Sequence, residues 1–267
     1  MIPSTVVAIR ALAFSGCDGL TSIFIPKGVM SIGSPIFDNC SNLKSIVVDK
    51  GNKFYDSRDE CNAIIATSDN QLIAGCQNTV IPNNVTKISP AAFQGCTNLT
   101  SIQLPNGLTS ISEYTFAYCT NLNSITLPES LVTISWNAFY NCINLTTVSI
   151  PKNVTSIQKS AFQYCRGLTS VISEIENPFP FGNYAFDHIS NDCVLYVPAG
   201  TRDAYIAAGW TEDVFKGGVV EMNPTSVKSL EADAKENDAI YDLTGRRIAQ
   251  KPAHGFYIQN GRKYLVR

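Results

Sequence analysis

The chain has 267 residues, 45% of them hydrophobic, which is enough to bury a substantial core and too apolar for a disordered protein. A formal net charge of −2 with only 16% charged residues provides no basic field for nucleic acid or an anionic membrane, so no nucleic-acid partner is expected and recognition must work through shape and local chemistry. No apolar run approaches the roughly 18–20 residues of a membrane-spanning helix.

The first residues, MIPSTVVAIRALAF, lack the charged, apolar, small-residue layout of a signal peptide and already read as part of a repeat. Any targeting segment is therefore expected to lie outside this chain. From Cys17 the chain reads CDGLTSIFIPKGVMSIGSPIFDN, and CSNLKSIVV follows from Cys40, 23 residues on. The pattern breaks and then returns as CTNLTSIQLPNGLTSISEYTFAY, CTNLNSITLPESLVTISWNAFYN, CINLTTVSIPKNVTSIQKSAFQY and CRGLTSV, with Cys96, Cys119, Cys142 and Cys165 again 23 apart. The shared form is C-x-x-L-x-x-I-x-L/I-P-x-x-L/V-x-x-I, closed by a small residue and Phe. Units this short bury apolar side chains only against their neighbours, so the period predicts a solenoid.

Within one unit the alternation Leu99, Ile102, Leu104 marks a short strand with those side chains inward. Pro26, Pro105, Pro128 and Pro151 end the strands because proline cannot donate to a ladder. Leu108 and Ile111 then return to the core. Phe14, Phe37, Phe93, Phe116, Phe139 and Phe162 are expected to stack as an interior aromatic ladder, with parallel strands about 4.8 Å apart. By the period of two, the intervening residues face outward on the expected concave sheet: Ser22 and Phe24, Ser45 and Val47, Ser101 and Gln103, Ser124 and Thr126, Thr147 and Ser149, then Ser170 and Ile172.

Residues 49–87 interrupt the repeat. NAIIA and LIAG flank the turn residues Ser68, Asp69 and Asn70, which predicts a hairpin within one enlarged coil, and the chain re-enters the ladder at Val80 to Pro82. After Val171 the consensus decays into a cap over 173–221, in which CVLYVP reads as a last strand and TRDAYIAA, Thr201 to Ala208, as a helix with Thr201 as N-cap and Gly209 as terminator. The solenoid is thus expected to occupy 1–221, a linker 222–228, and a small antiparallel β module 229–267, where AIYDLTGRRI and GFYIQNGRKYLVR alternate and Asn260-Gly261 signals a hairpin.

Nine cysteines without a C-x-x-C, and only His188 and His254 as imidazoles, argue against a zinc site. The repeated cysteines read as small buried groups. Cys61 and Cys76 fall opposite each other if the hairpin is centred near Asp69, which permits a disulfide. Asp56, Arg58, Asp59 and Glu60 form a charge cluster whose spacing does not match an EF-hand loop. No nucleophile, phosphate-loop or metalloprotease motif is present, so neither catalytic residues nor cofactors are assigned.

These motifs resemble the BspA-type leucine-rich repeats of bacterial surface proteins and some protozoan ones, over roughly residues 6–221. The resemblance implies a right-handed solenoid, mostly β with short irregular or helical coils, exposed outside the cell in an adhesive or recognition role. The tail YDLTGRR followed by GFYIQNGRKYLV is similar to C-terminal tails of exported Bacteroidetes proteins, some of which serve in secretion or surface anchoring; a structural end-cap is the alternative. The expectation is a monomeric, non-enzymatic surface protein recognising an extracellular protein or glycan. Phe24 and Val47, with Phe54 and Tyr55 nearby in sequence, are the expected apolar contact group, and Ser101, Gln103, Ser124, Thr126, Thr147 and Ser149 the polar continuation. Ser and Thr are also ordinary solvent-facing strand residues. The alternatives are a structural spacer, or a glycan-binding module that would need stacked exposed aromatics, for which Tyr114, Trp136, Tyr140 and Tyr164 are the candidates.

Overall fold

A computed structural model describes residues 2–222, 240–241, 247–248, 255–259 and 262–266. Each central coil contributes one strand to a front sheet and a two-residue strand to a second, return ladder. The front strands Ser101–Gln103, Ser124–Thr126, Thr147–Ile150 and Ser170–Ser173 are parallel, with Ser101, Ser124, Thr147 and Ser170 in one register. Ser110–Ile111, Thr133–Ile134 and Ser156–Ile157 form the return ladder. The alternation dictates this register, because a one-residue slip would turn Ile102 and Ile125 to solvent and Gln103 and Thr126 inward. On the remaining side the chain turns without regular strands, yet its backbone is still paired coil to coil: Phe93, Phe116, Phe139 and Phe162 donate N–H bonds to Thr115, Ala138, Ala161 and Ala185 at 2.7–3.0 Å.

The interior ladder forms as expected from Phe93 onward. Phe93, Phe116, Phe139 and Phe162 stack with centroids 5.0–5.5 Å apart, and Phe186, one residue out of the strict period, continues the stack at 5.2 Å. The cysteine position does more than fill space. The Cys119, Cys142 and Cys165 thiols donate to the carbonyls of Phe93, Phe116 and Phe139 at 3.1–3.2 Å, tying each coil to the one before.

The insertion contains the expected hairpin but is not an appendage. Tyr55–Asp56, Ala63–Ala66, Gln71–Gly75 and Lys87–Ile88 make a four-stranded sheet in that order, antiparallel until the last, parallel pair. Cys61, Ala63, Ile65 and Leu72 enter the main core, whereas Ile64, Ala74 and Cys76 join a separate cluster with Ile9, Ile25, Ile36 and Phe37. The hairpin is a wall between two cores, which is why NAIIA reads as a continuous apolar run. Gly75 lets this wall lie over the ladder: a Cβ there would stand 2.2 Å from Cε1 of Phe93. The permitted Cys61–Cys76 bridge is not formed; both thiols are free because they project into opposite cores.

At the other end, Val194–Pro198 joins the front sheet as CVLYVP predicts, but it is not the last strand. Gly218–Met222 pairs parallel beyond it. Helix Arg202–Ala207 links the two; Thr201 precedes it, but its hydroxyl donates to the Pro198 carbonyl at 2.6 Å instead of capping, and Gly209 follows at φ 89°. Tyr205, Trp210 and Phe215 are fully buried and close the open end of the core. The Trp210 indole donates to the Phe179 carbonyl at 2.8 Å. Because the strand runs through Met222, that residue does not belong to the linker; 223–228 lie outside the described residues. In the tail, Ile240–Tyr241, Arg247–Ile248, Gly255–Gln259 and Arg262–Val266 form an antiparallel sheet, and the Asn260-Gly261 turn and His254 lie outside the described residues.

Candidate binding face

The front strands present the outward residues that alternation assigns, with Phe24 paired to Val47 and Gln103 to Thr126. Ser22, Ser101, Gln103 and Thr126 are exposed; Ser45, Ser124, Thr147 and Ser149 are half-buried between neighbouring strands. Phe24 and Val47 are 44% and 45% exposed. The front sheet is not continuous, however. Ser22–Ile25 pairs only with Ser45–Val48, and the six-stranded part begins at Ser101–Gln103.

Val80 falls in the break. It stands 23 residues before Gln103, so NTVIP occupies the front-strand position of the enlarged coil. Val80 is 71% exposed and its amide donates to the Cys61 carbonyl at 3.0 Å. Aligning NTVIP with SIQLP would have added Val80 to the apolar pair. At the far end Ile172 departs from expectation. It takes the outward position between Ser149 and Tyr196 but is fully buried without joining the main core cluster, so it offers no exposed contact.

The insertion adds one wall of a depression of about 790 Å³, in which Asp59 and Val80 meet Ser101, Gln103, Ser124 and Thr126. Asp59 and Glu60 hold successive left-handed backbone conformations, φ 56° and 54°. Such strain persists only where surrounding structure enforces it. That support is visible: Arg58 grips Asp56 through Nε and Nη2 at 2.8 and 2.6 Å and donates from Nη1 to Asn70 Oδ1 at 2.6 Å. Asp56 is thereby committed to Arg58, and among the described residues no group of three or more metal-capable side chains occurs.

Tyr55 turns out to be a strut and not a contact residue. Its hydroxyl accepts the Ile32 amide at 3.0 Å and its ring packs on the N-terminal core. Phe54 remains exposed. Buried Asn52, which the sequence reading passes over, anchors this stretch: Nδ2 donates to the Pro26 and Val29 carbonyls at 3.0 and 2.9 Å, and Oδ1 accepts the Phe54 and Tyr55 amides at 2.8 and 3.0 Å. Tyr114, Trp136, Tyr140 and Tyr164 lie elsewhere, on the turn segments between the return ladder and the next cysteine.

Coils held by interior ladders, with the variable chemistry confined to outward positions, define a solenoid repeat protein of the leucine-rich kind. The chain belongs to the BspA-type leucine-rich repeat family, whose repeat pattern matches in 6 copies over residues 1–61 and 72–192. The internal unmatched stretch, 62–71, covers the first hairpin strand and its turn, and the match ends before the cap strand Val194–Pro198. The fold of the chain is similar to that of a leucine-rich cell surface protein from Faecalibacterium prausnitzii A2-165, at TM-score 0.65 and 28% identity over 77% of this chain and 55% of that one. The pneumococcal vaccine antigen PcpA matches at 0.64 and 21% over 82% and 60%, a likeness of fold alone. A leucine-rich repeat protein from Bacteroides ovatus ATCC 8483 matches at 0.50 and 28% over 73% and 47%. The chain thus spans about half to three-fifths of the length of these neighbours. No curated protein matches it.

Proposed function

We propose that this chain is a non-enzymatic, extracellular binding protein that holds a protein partner on the outer face of its front sheet, at the end bordered by the insertion. The observation that carries this is the set of exposed apolar side chains Phe24, Val47 and Val80, at the repeat position that later coils fill with Gln103, Thr126 and Ser149. Apolar anchors beside a polar depression that includes Asp59 suit a contact of hydrophobic centre and polar rim. A surface location is supported by the 28%-identical neighbour described as a cell surface protein.

The test is binding of the full chain to immobilised extracellular-matrix and bacterial surface proteins. Replacing Phe24, Val47 and Val80 together by Ser is expected to weaken any captured partner by about tenfold or more while the chain stays folded. Undiminished binding by the folded variant rejects this face. For the tail, we propose a role in export or attachment, supported by the likeness of YDLTGRR and GFYIQNGRKYLV to exported-protein tails. A reporter carrying a secretory leader and residues 229–267 should then reach the surface of a Bacteroidetes host, and the same reporter without residues 229–267 should not; equal display of the two would assign the tail to end-capping instead.

A further inference from the structure

The turn segments carry a second feature that the front face does not use, exposed at Tyr118, Trp136 and His188 and half-buried at Tyr114, Tyr140 and Tyr164. Tyr118, Tyr140, Tyr164 and His188, from four successive coils, pack ring on ring with centroids 5.4, 5.4 and 4.6 Å apart, the first contacts edge-on at 64° and 77° and the last parallel at 6°. Tyr114 and Trp136 form a pair on the same turn segments at 5.3 Å. These rings are outside the core: Tyr114 and Tyr118 flank buried Phe116, and Trp136 is 43% exposed.

The backbone indicates that the side chains, and not the turns, call for aromatics here. Tyr118, Tyr164 and His188 adopt φ of 61°, 62° and 55°, in the left-handed region that disfavours bulky residues. At the same place in other coils stand Gly16, Asn39, Gly95 and Asn141, which satisfy the turn with less strain. Ring for Gly or Asn therefore costs stability without improving the turn.

The strip leads to a pocket of about 850 Å³ at the cap, lined among others by Arg166, Tyr184, Asp187, His188, Asp192 and Lys216. Arg166 lies over the Tyr164 ring at 5.6 Å, and Asp187 is held by Gln163 at 3.1 Å with His188 Nε2 3.4 Å away. Burial, then the neighbouring phenols of Tyr118, Tyr164 and Tyr114, push the Tyr140 hydroxyl above its ordinary pKa.

We propose that the strip Tyr118–Tyr140–Tyr164–His188, with the Tyr114–Trp136 pair and the cap pocket, binds an extended oligosaccharide. A sugar ring offers an apolar C–H face to an aromatic and hydroxyls to phenols, amides and carboxylates. The strip is one ring wide and repeats at the coil pitch, so a linear sugar chain can run along its outer edge past the exposed Tyr118 and His188 and the half-buried Tyr140 and Tyr164, whereas a protein hot spot gathers anchors into a compact, desolvated patch. The inference rests on the reading of this chain as a binding protein but uses a different surface.

The test is native electrophoresis of the full chain through gels cast separately with xylan, mixed-linkage β-glucan, galactomannan and hyaluronan. Retardation is expected in at least one gel. Of the two tryptophans Trp210 is fully buried, so acrylamide quenching reports Trp136, and the retarding polysaccharide should protect it. Tyr118→Asn with Tyr164→Asn, which installs the residue already found at Asn39 and Asn141, should weaken retardation about tenfold or more. The Ser substitutions at Phe24, Val47 and Val80 should leave it unchanged, which separates this site from the front face. Migration unretarded in every gel, or retardation that survives the double Asn variant, overturns the proposal. So does capture of a protein that the double variant abolishes when no polysaccharide retards the chain.

Discussion

The coils before the insertion and those after it are written in one repeat, yet they fold into unequal structures. After it, the Phe rings are buried and stacked within 5.5 Å, and Cys96, Cys119, Cys142 and Cys165 are buried. Before it, Phe14 and Phe37 sit 5.8 Å apart and tilted by 30°, Phe14 is only half-buried, and Cys17 is exposed. The first coils have the hairpin wall on one flank, and their core is completed by Ile64, Ala74 and Cys76 from that wall. The same difference surfaces outside, where Phe24 and Val47 replace the polar residues of the later coils.

The inequality can be broken most forcefully in the ladder. Phe139→Ala should cost about 3–5 kcal/mol, and Phe14→Ala clearly less, in equilibrium urea unfolding. Equal losses would mean that the two regions are packed alike.

Alkaline pH probes the buried thiols of both regions next. Burial raises the thiol pKa of Cys40 and Cys76 in the first core and of Cys96, Cys119, Cys142 and Cys193 in the second, the last to about 12. The folded protein therefore holds protons that the unfolded chain releases near pH 8.5. Stability should be complete below that pH and fall as pH rises towards the folded values, by about 1.4 kcal/mol per pH unit for each such thiol. Denaturation at pH 7.5 and pH 10 reads this, and Cys119→Ala should flatten the slope by one thiol's share.

At the junction, Gly75→Ala should cost about 1–3 kcal/mol, because its Cβ meets the Phe93 ring and the wall or the ladder must shift. A neutral substitution would show that the wall is not seated on the ladder. Smallest of all, the triple Ser change at Phe24, Val47 and Val80 should move stability by no more than about 0.5 kcal/mol per site, since these side chains already face water. A large loss would reassign them to folding.

Much of this was readable from spacing. Leu99, Ile102, Leu108, Ile111 and Phe116 recur at one period, and stacking leaves such positions no other place than the interior. The insertion was less legible: NAIIA announces a strand buried on both faces but not what lies beyond each face, so the two-sided wall and the separation of Cys61 from Cys76 were hidden. Tyr140 and Tyr164 were named as aromatic candidates, but the strip they form with Tyr118 and His188 was not visible by column, because Tyr140 lies 22 residues after Tyr118 and 24 before Tyr164 and only its side chain brings it between them. Val80 was within reach of the repeat alignment; Ile172, outward by alternation, was covered by its surroundings.

By itself, then, the sequence determined the 23-residue coil, its inward side chains, the interruption and the decay of the repeat into a cap, because in a one-dimensional stack local periodicity already specifies which neighbours meet. The tertiary structure decided what periodicity does not encode. It turned the hairpin into a partition, set Asp59 and Val80 beside Ser101 and Gln103, buried Ile172, and aligned rings from different repeat positions into one outer strip. Those outcomes depend on contacts between non-equivalent segments, where side-chain direction and coverage, and not spacing, fix the result.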